Sequence, residues 1–368
     1  MTASHSIPPA PRASVLMTTY NGARFIAESI DSVLAQDFND FELVVVDDAS
    51  TDATAAILAG YTDPRLRVIR NTSNLGVVGA RNRGFAELRG TYVAPIDHDD
   101  LWRPARLAEG VARLDRDPAT VLVATQIMIL TDKGLFPSDR PIPSSSVLFR
   151  WMLLMDCPVS YSSLLFRRDA ARRSDGTFMR PELRYADDYE LMLRLASLGD
   201  MVALTAPLTV YRVHDNNTTW HVRDEMYRHA LIAVEEQFTP WLGIDAAEAA
   251  QLITWHIARR QPVPDRPTLL RLGVLLRQLL DAFVTALGPE PEDRQRIEMY
   301  ARRAYWRALR ASIRSGRVWL LVADWGGAAR AVHASGAAGD AVASLLAGFL
   351  RLPARVLLSD RGRPAARR

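Results

Sequence analysis

Within its first hundred residues the chain repeats one pattern: a short aliphatic run, a polar cluster, then a helical periodicity. The runs at residues 14–18, 42–46, 66–69 and 91–96 read as buried strands, and residues 22–36, 51–58 and 77–88 carry apolar positions on one helical face. Phe25, Ile26, Ile30, Val33 and Leu34 make the first of those faces, and Ser50 stands where a helix N-cap is expected. Strands that alternate with helices pair in parallel, because a parallel neighbour needs a crossover and the crossover here is a helix. The crossovers are right-handed, so the expected fold class is α/β, with a mostly parallel sheet covered on both faces.

Further along, residues 121–130 and 162–166 read as strands, 187–197 as a helix, and 201–211 as a strand interrupted by Pro207. After Arg223 strand signals thin out. Ala, Leu and Arg dominate, with breaks at 262–267 and 288–291 separating helical segments such as 246–259 and 269–287. The expected organisation is a disordered arm at 1–13, an α/β domain at 14–222, a helical region at 223–315, and an amphipathic, basic tail at 316–368.

Charge follows the same division. The 368 residues sum to +3 with a pI near 9.2, which taken alone would suggest a nucleic-acid partner. Residues 1–222, however, carry 23 basic and 27 acidic side chains, while the last 18 residues carry six arginines against one aspartate. The pI is therefore no evidence for nucleic-acid binding, and no nucleic acid is expected as a partner. Lys133 is the only lysine, so a phosphate loop ending in Gly-Lys-Ser or Gly-Lys-Thr is excluded. The single Cys157 excludes an internal disulfide or a cysteine zinc site. The first 13 residues lack the apolar core of a signal peptide, and no apolar stretch is long enough to span a bilayer; a cytoplasmic setting is the expectation.

In open parallel sheets ligands bind beyond the carboxyl ends of the strands, and here those ends are strongly polar. The first strand runs into Thr18-Thr19-Tyr20-Asn21, the second into Asp47-Asp48-Ala49-Ser50, the third into the loop at 71–76, and the fourth into Asp97-His98-Asp99-Asp100. Two acidic clusters on one rim call for a compensating divalent cation or an arginine. Asp97-x-Asp99 in an extended loop suits Mg²⁺ or Mn²⁺ shared with a diphosphate.

The residues Ser-Val-Leu-Met-Thr-Thr-Tyr-Asn-Gly (14–22), Glu-Leu-Val-Val-Val-Asp-Asp-Ala-Ser-Thr-Asp (42–52), Asn-Leu-Gly-Val-Val-Gly-Ala-Arg-Asn-Arg-Gly (74–84) and Ile-Asp-His-Asp-Asp (96–100) appear in one order. Two more segments follow, Tyr185-Ala186-Asp187-Asp188-Tyr189-Glu190-Leu191 and Tyr211-Arg212-Val213-His214-Asp215-Asn216-Asn217-Thr218. Together they resemble glycosyltransferase family 2 over roughly residues 14–220, which implies the GT-A fold and an inverting sugar transfer. The resemblance departs at Thr19, where Pro is common, at Ala49, where Gly is common, and at Asp187, where Glu is common.

What the resemblance implies can be placed residue by residue. Tyr20 stacks on the nucleotide base and Asp48 bonds its edge, with Thr18 alongside; Asp97 serves the ribose side, and Asp99 holds the metal. Arg81 faces the nucleotide and its phosphates, or forms a salt bridge to Asp47 or Asp48; both readings stand. Asp188 is the general base, and His214 contacts the metal or supports it, with a plain surface histidine as the alternative. The implied partners are a UDP-, dTDP- or GDP-sugar and a glycan or lipid-linked acceptor, and the implied cofactor is Mg²⁺ or Mn²⁺. The loop at 215–221 reads as a lid over the donor.

The apolar segments at 318–325 and 341–350, followed by arginines, suit either a helix on an anionic membrane surface or a hairpin docked on the protein. A non-catalytic sugar-nucleotide-binding protein with the same fold is the alternative function. A nucleotidyltransferase lacks its Gly-rich triphosphate loop here, and the glycines at 76, 79 and 84 do not match a dinucleotide fingerprint.

Overall fold

The computed structural model describes residues 10–217 and 221–317. Its chain divides into two units between Ala233 and Val234, with Leu154–Asp156 grouped in the second.

The first unit is built on one mixed sheet. Strands β1 (Ala13–Thr19), β2 (Phe41–Asp47), β3 (Leu66–Arg70) and β4 (Tyr92–Asp97) run parallel in the order β3-β2-β1-β4. Every residue of β2 is buried, as expected of a strand covered on both faces. The crossovers are helices α1 (Ile26–Leu34), α2 (Thr54–Ala59) and α3 (Gly76–Phe85). In α1 the apolar stripe buries Ile26, Ile30 and Val33 against the sheet.

Beyond β4 the sheet changes sense. Strands β5 (Leu101–Trp102), β6 (Thr120–Thr131), β7 (Gly134–Pro137), β8 (Leu164–Arg167) and β9 (Asp200–Arg212) continue it in the order β8-β6-β9-β5, with β7 on β6. β8 is antiparallel to both β4 and β6, while β6 and β9 pair in parallel. β9 passes through Pro207, and the register against β6 shifts on either side of Gln126, so the missing N–H is absorbed by an irregularity. Helices α4 (Arg106–Arg116), α5 (Ser146–Met155), α6 (Arg168–Ala171) and α7 (Asp187–Ala196) complete this unit.

Two local details set the rim. Ser50 does not cap α2: its Oγ accepts from Asn21 N at 2.9 Å, and Asp52 Oδ1 accepts from Thr54 N at 3.0 Å instead. Asn21 Oδ1 in turn accepts from Thr51 N at 2.8 Å, so the loops after β1 and β2 are stitched together. At Gly84 a Cβ would come within 2.3 Å of Leu16 Cδ1, so this glycine lets α3 lie directly on β1.

Helix α8 (Arg223–Leu242) spans the division between the units. The second unit continues with α9 (Ala246–Leu252), a π-helical turn at Ile253–Ala258, α10 (Arg266–Leu287) and α11 (Pro291–Arg314). Asp265 caps α10 through Thr268 N at 2.9 Å, and Gly288 ends it in the left-handed conformation with φ 51°. Leu269, Leu272, Leu276, Leu279 and Phe283 form its buried stripe. No helix among the described residues is long and apolar enough to cross a membrane. The apolar segments and arginines expected of the tail lie outside the described residues, apart from 316 and 317.

Candidate active site

The chain leaves β1 for one side of the sheet and β4 lies on the other, so the carboxyl ends of β1 and β4 flank a topological switch point. A cleft of about 470 Å³ opens there. Thr18, Tyr20, Asp48, Arg81, Asp97, Asp99 and Asp188 all line it. His214 reaches it indirectly, with Nε2 lying 2.8 Å from Asp99 Oδ2.

Tyr20 sits at the mouth of the cleft, 47% exposed. Asp48 is buried and organises the loop opposite. Its Oδ1 accepts from Asn71 Nδ2 at 2.7 Å and Leu75 N at 2.9 Å, and its Oδ2 accepts from Gly76 N at 2.9 Å. Gly76 has φ 74°, a conformation glycine adopts without a Cβ clash, and it directs that N–H onto the carboxylate as α3 begins.

Arg81 is 7% exposed and projects from the buried face of α3. The salt bridge to Asp47 or Asp48 expected of it does not form. Its Nη1 donates to Asp187 Oδ2 at 2.7 Å and its Nη2 to Asp97 Oδ1 at 3.2 Å, and the guanidinium carbon lies 3.7 Å from the centroid of the Tyr161 ring. Asp47 instead faces Arg70, 3.4 Å away, and accepts from Ser50 N. The reason is orientation: α3 turns Arg81 toward the end of β4 and the start of α7, while Asp48 is already committed to the 71–76 loop. Beside Arg81, Asn82 bonds the backbone of Phe178 and Met179, so one turn of α3 anchors the segment that leads into α7.

Asp188 lies at the start of α7, with Oδ1 accepting from Tyr189 N at 2.8 Å. Burial, and next the carboxylate of Asp187, push its carboxyl up to about 6, against the pull of Arg81. Glu190 is occupied by Arg173 and Arg194, each 3.1 Å away, and has a structural part in α7. At the end of β4, burial raises Asp97, with Arg81 opposing and Asp99 adding to the rise.

Asp99 Oδ2 also lies 3.4 Å from Asn217 Nδ2, and Asn217 Oδ1 accepts from His214 N at 2.7 Å. Of the lid expected at 215–221, residues 218–220 lie outside the described residues. Asn217, Tyr161 and Asn82 also stand at the site without a role assigned from sequence; the one local signal for Asn217 is its place in the 211–218 motif, three residues after His214.

As a cation site, the cleft offers Asp97 and Asp99, with His214 on Asp99. Among the described residues no three His, Cys, Asp or Glu side chains form a closed metal set. Mg²⁺ or Mn²⁺ bound through one or two carboxylates, with water and phosphate oxygens completing the shell, needs only such a partial set, so the donors present fit it.

A family model described as Glycosyl transferase family 2 matches residues 14–174. Over 221 residues the chain is 30% identical to the putative glycosyltransferase EpsE of Bacillus subtilis, covering 59% of this chain and 78% of that protein. It is also 30% identical over 249 residues to the succinoglycan biosynthesis protein ExoO of Rhizobium meliloti, covering 64% and 70%. Among solved structures, a mannosyltransferase from Pyrobaculum calidifontis in complex with GDP-Man and Mn²⁺ superposes with a TM-score of 0.51 at 23% identity, covering 87% of each chain. That likeness is one of fold, a GT-A type α/β sheet followed by a helical region. With the motif order, the matched family and the relatives in agreement, the chain belongs to glycosyltransferase family 2.

Proposed function

We propose that this glycosyltransferase is metal-dependent and inverting, and that it moves a sugar from a nucleoside diphosphate donor to a hydroxyl of a glycan or lipid-linked acceptor. The observation that carries this reading is that Asp97, Asp99 and Asp188 line a single cleft at the switch point of the sheet. Assembly of a cell-surface polysaccharide or glycolipid is supported by ExoO, which is named a succinoglycan biosynthesis protein. A membrane-proximal setting rests on the arginine-rich end of the sequence, whose chemistry suits an anionic surface.

In this reading Tyr20 offers its exposed ring to the base, with Thr18 and Asp48 beside it, and Asp97 takes the ribose. Asp99, oriented by His214, would hold Mg²⁺ or Mn²⁺. When bound, the cation supplies charge neutralisation for the departing diphosphate. Asp188 accepts the proton of the acceptor hydroxyl as that oxygen bonds to the anomeric carbon. The bond from the anomeric carbon to the diphosphate breaks on the opposite face, its electron pair leaves with the nucleoside diphosphate, and the configuration inverts. Arg81 acts behind the reacting groups. Neutralising Asp187 and Asp97 leaves Asp188 as the ionisable carboxylate that faces the acceptor, with a basicity matched to neutral pH.

The test is release of nucleoside diphosphate from a panel of UDP-, dTDP- and GDP-sugars with Mn²⁺, with acceptor glycans present and absent. Turnover of at least one donor is expected, with Asp188→Asn abolishing transfer while still binding that donor. Binding without turnover across the whole panel would favour a non-catalytic sugar-nucleotide-binding protein, and full turnover by Asp188→Asn would remove Asp188 from this role.

A further inference from the structure

The second unit contains a cavity of about 250 Å³ lined by Gln251, Leu252, Trp255, His256 and Gln261. The backbone around it is unusual. Helix α9 does not end as an α-helix but widens into the π-helical turn Ile253–Ala258, and Arg260, a non-glycine residue, adopts φ 58°. Both features cost conformational energy, and π-turns inside helices are frequent at functional sites.

What the distortion achieves can be read from the hydrogen bonds. Arg259 N donates to Thr254 O at 2.9 Å, and the left-handed turn at Arg260 then brings Gln261 back over the helix. Gln261 N donates to Trp255 O at 2.9 Å, and His256 Nδ1 lies 3.0 Å from Gln261 O. The chain after this turn is pinned by Val263 N donating to Ser312 Oγ on α11 at 2.8 Å. Trp255, His256 and Gln261 are thus held together by backbone, independently of what their remaining side-chain atoms do.

The bond also settles the state of the imidazole. A carbonyl oxygen only accepts, so Nδ1 carries the proton and Nε2 presents a lone pair. His256 is 8% exposed, and burial lowers its pKa, which keeps the ring neutral. Among the described residues the lining is uncharged. The cavity therefore joins an aromatic ring, one fixed acceptor, and two amides that each both donate and accept.

That combination matches one ligand chemistry. A pyranose ring has a face of C–H groups that packs on an indole and an edge of hydroxyls that need both donors and acceptors. A purely apolar ligand would make no use of the amides or of Nε2, and among the described lining residues a phosphate or carboxylate would meet no cation. We infer that this cavity binds a neutral sugar unit of a glycan, as a holding site separate from the transfer cleft. It goes beyond the proposed transfer reaction and uses none of the residues assigned to it.

The test is saturation-transfer NMR on the full chain with four probes, the methyl glycosides of glucose, galactose, mannose and N-acetylglucosamine. At least one probe is expected to receive saturation, and that signal is expected to be lost in Trp255→Ala and reduced at least severalfold in Gln261→Ala. The Gln261 variant retains the backbone bonds that hold the turn, and its melting temperature checks that the fold persists. Nucleoside diphosphate release by the unmodified protein is measured separately and reads the proposed reaction, so failure of that reaction does not affect this outcome. No saturation with any of the four probes, or equal saturation in both cavity variants, overturns the inference.

Discussion

Arg81 Nη1 stands 2.7 Å from Asp187 Oδ2, an ion pair between residues 106 positions apart in which neither partner is more than 7% exposed. Removing the guanidinium leaves a buried carboxylate without its counter-charge. Arg81→Ala is therefore expected to lower unfolding free energy by about 3–5 kcal/mol. Arg81→Lys keeps the charge but cannot reach Asp187 and Asp97 with two parallel donors, and is expected to lose less. Urea unfolding of the two variants checks both statements; an unchanged midpoint in Arg81→Ala would show that the pair does not hold the site together.

Asp188 links pH to rate and to stability in opposite senses. With its folded carboxyl near 6 and its proposed role as the base, the ionised form is depleted below that value, so kcat/KM is expected to fall about tenfold per pH unit on the acid side and level off above. The stability sign follows from the same rise above the ordinary carboxylate value of 3.8. Between those values the folded protein binds a proton that the unfolded chain has lost. The stabilising contribution is complete below the unfolded pKa and is lost as pH rises through the folded one. Asp188→Asn, which cannot ionise, should therefore be more stable than the parent at pH 8 by about 1–3 kcal/mol, with the gap closing toward pH 4. Denaturant midpoints across that range measure it, and a gap that widens in acid would contradict the raised carboxyl of Asp188.

His214 orients Asp99 from 115 residues away at 2.8 Å. If Asp99 holds the cation as proposed, a partner of this kind behind it typically contributes 10- to 100-fold in metal affinity. His214→Ala is expected to weaken Mn²⁺-supported donor binding by about that factor. Calorimetry of the productive donor with Mn²⁺, and again with EDTA, separates this from a loss of nucleotide contacts, since only the Mn²⁺ titration should change.

Ala49 follows the buried pair Asp47 and Asp48 with φ 62°, a left-handed conformation that costs a residue with a Cβ about 1–2 kcal/mol. Glycine removes that cost and adds unfolded-state entropy of about 0.5–1 kcal/mol. Ala49→Gly is expected to be neutral to stabilising, by up to about 1 kcal/mol, in urea unfolding. A loss of stability would show that the methyl group packs in a way that outweighs the backbone strain.

Much of the scaffold is legible in the residues alone. The stripe of Ile26, Ile30 and Val33, the fully apolar interior of β2, and the polar residues after β1, β2 and β4 are local patterns, and each reports its own structure. α4 carries an equally clear stripe in Leu107, Val111 and Leu114. α5 does not, because Phe149, Trp151, Met152, Leu153 and Leu154 are all buried and leave no polar face to set a period. The antiparallel insertion of β8 between β4 and β6 has no local signature, since three buried apolar residues and an arginine pair equally well in either sense.

By itself the sequence determined the α/β alternation, the rim on which the acidic groups gather, and the motif order that marks the family. These depend on spacing along the chain, which folding does not alter. Only the tertiary structure decided that Arg81 pairs with Asp187 and Asp97 rather than with Asp47 or Asp48, that His214 and Asn217 meet at Asp99, and that Asn82 anchors the approach to α7. The physical reason is that a charge selects its partner by distance and orientation, and those are set by how α3 lies on β1 and where α7 begins, a hundred residues away.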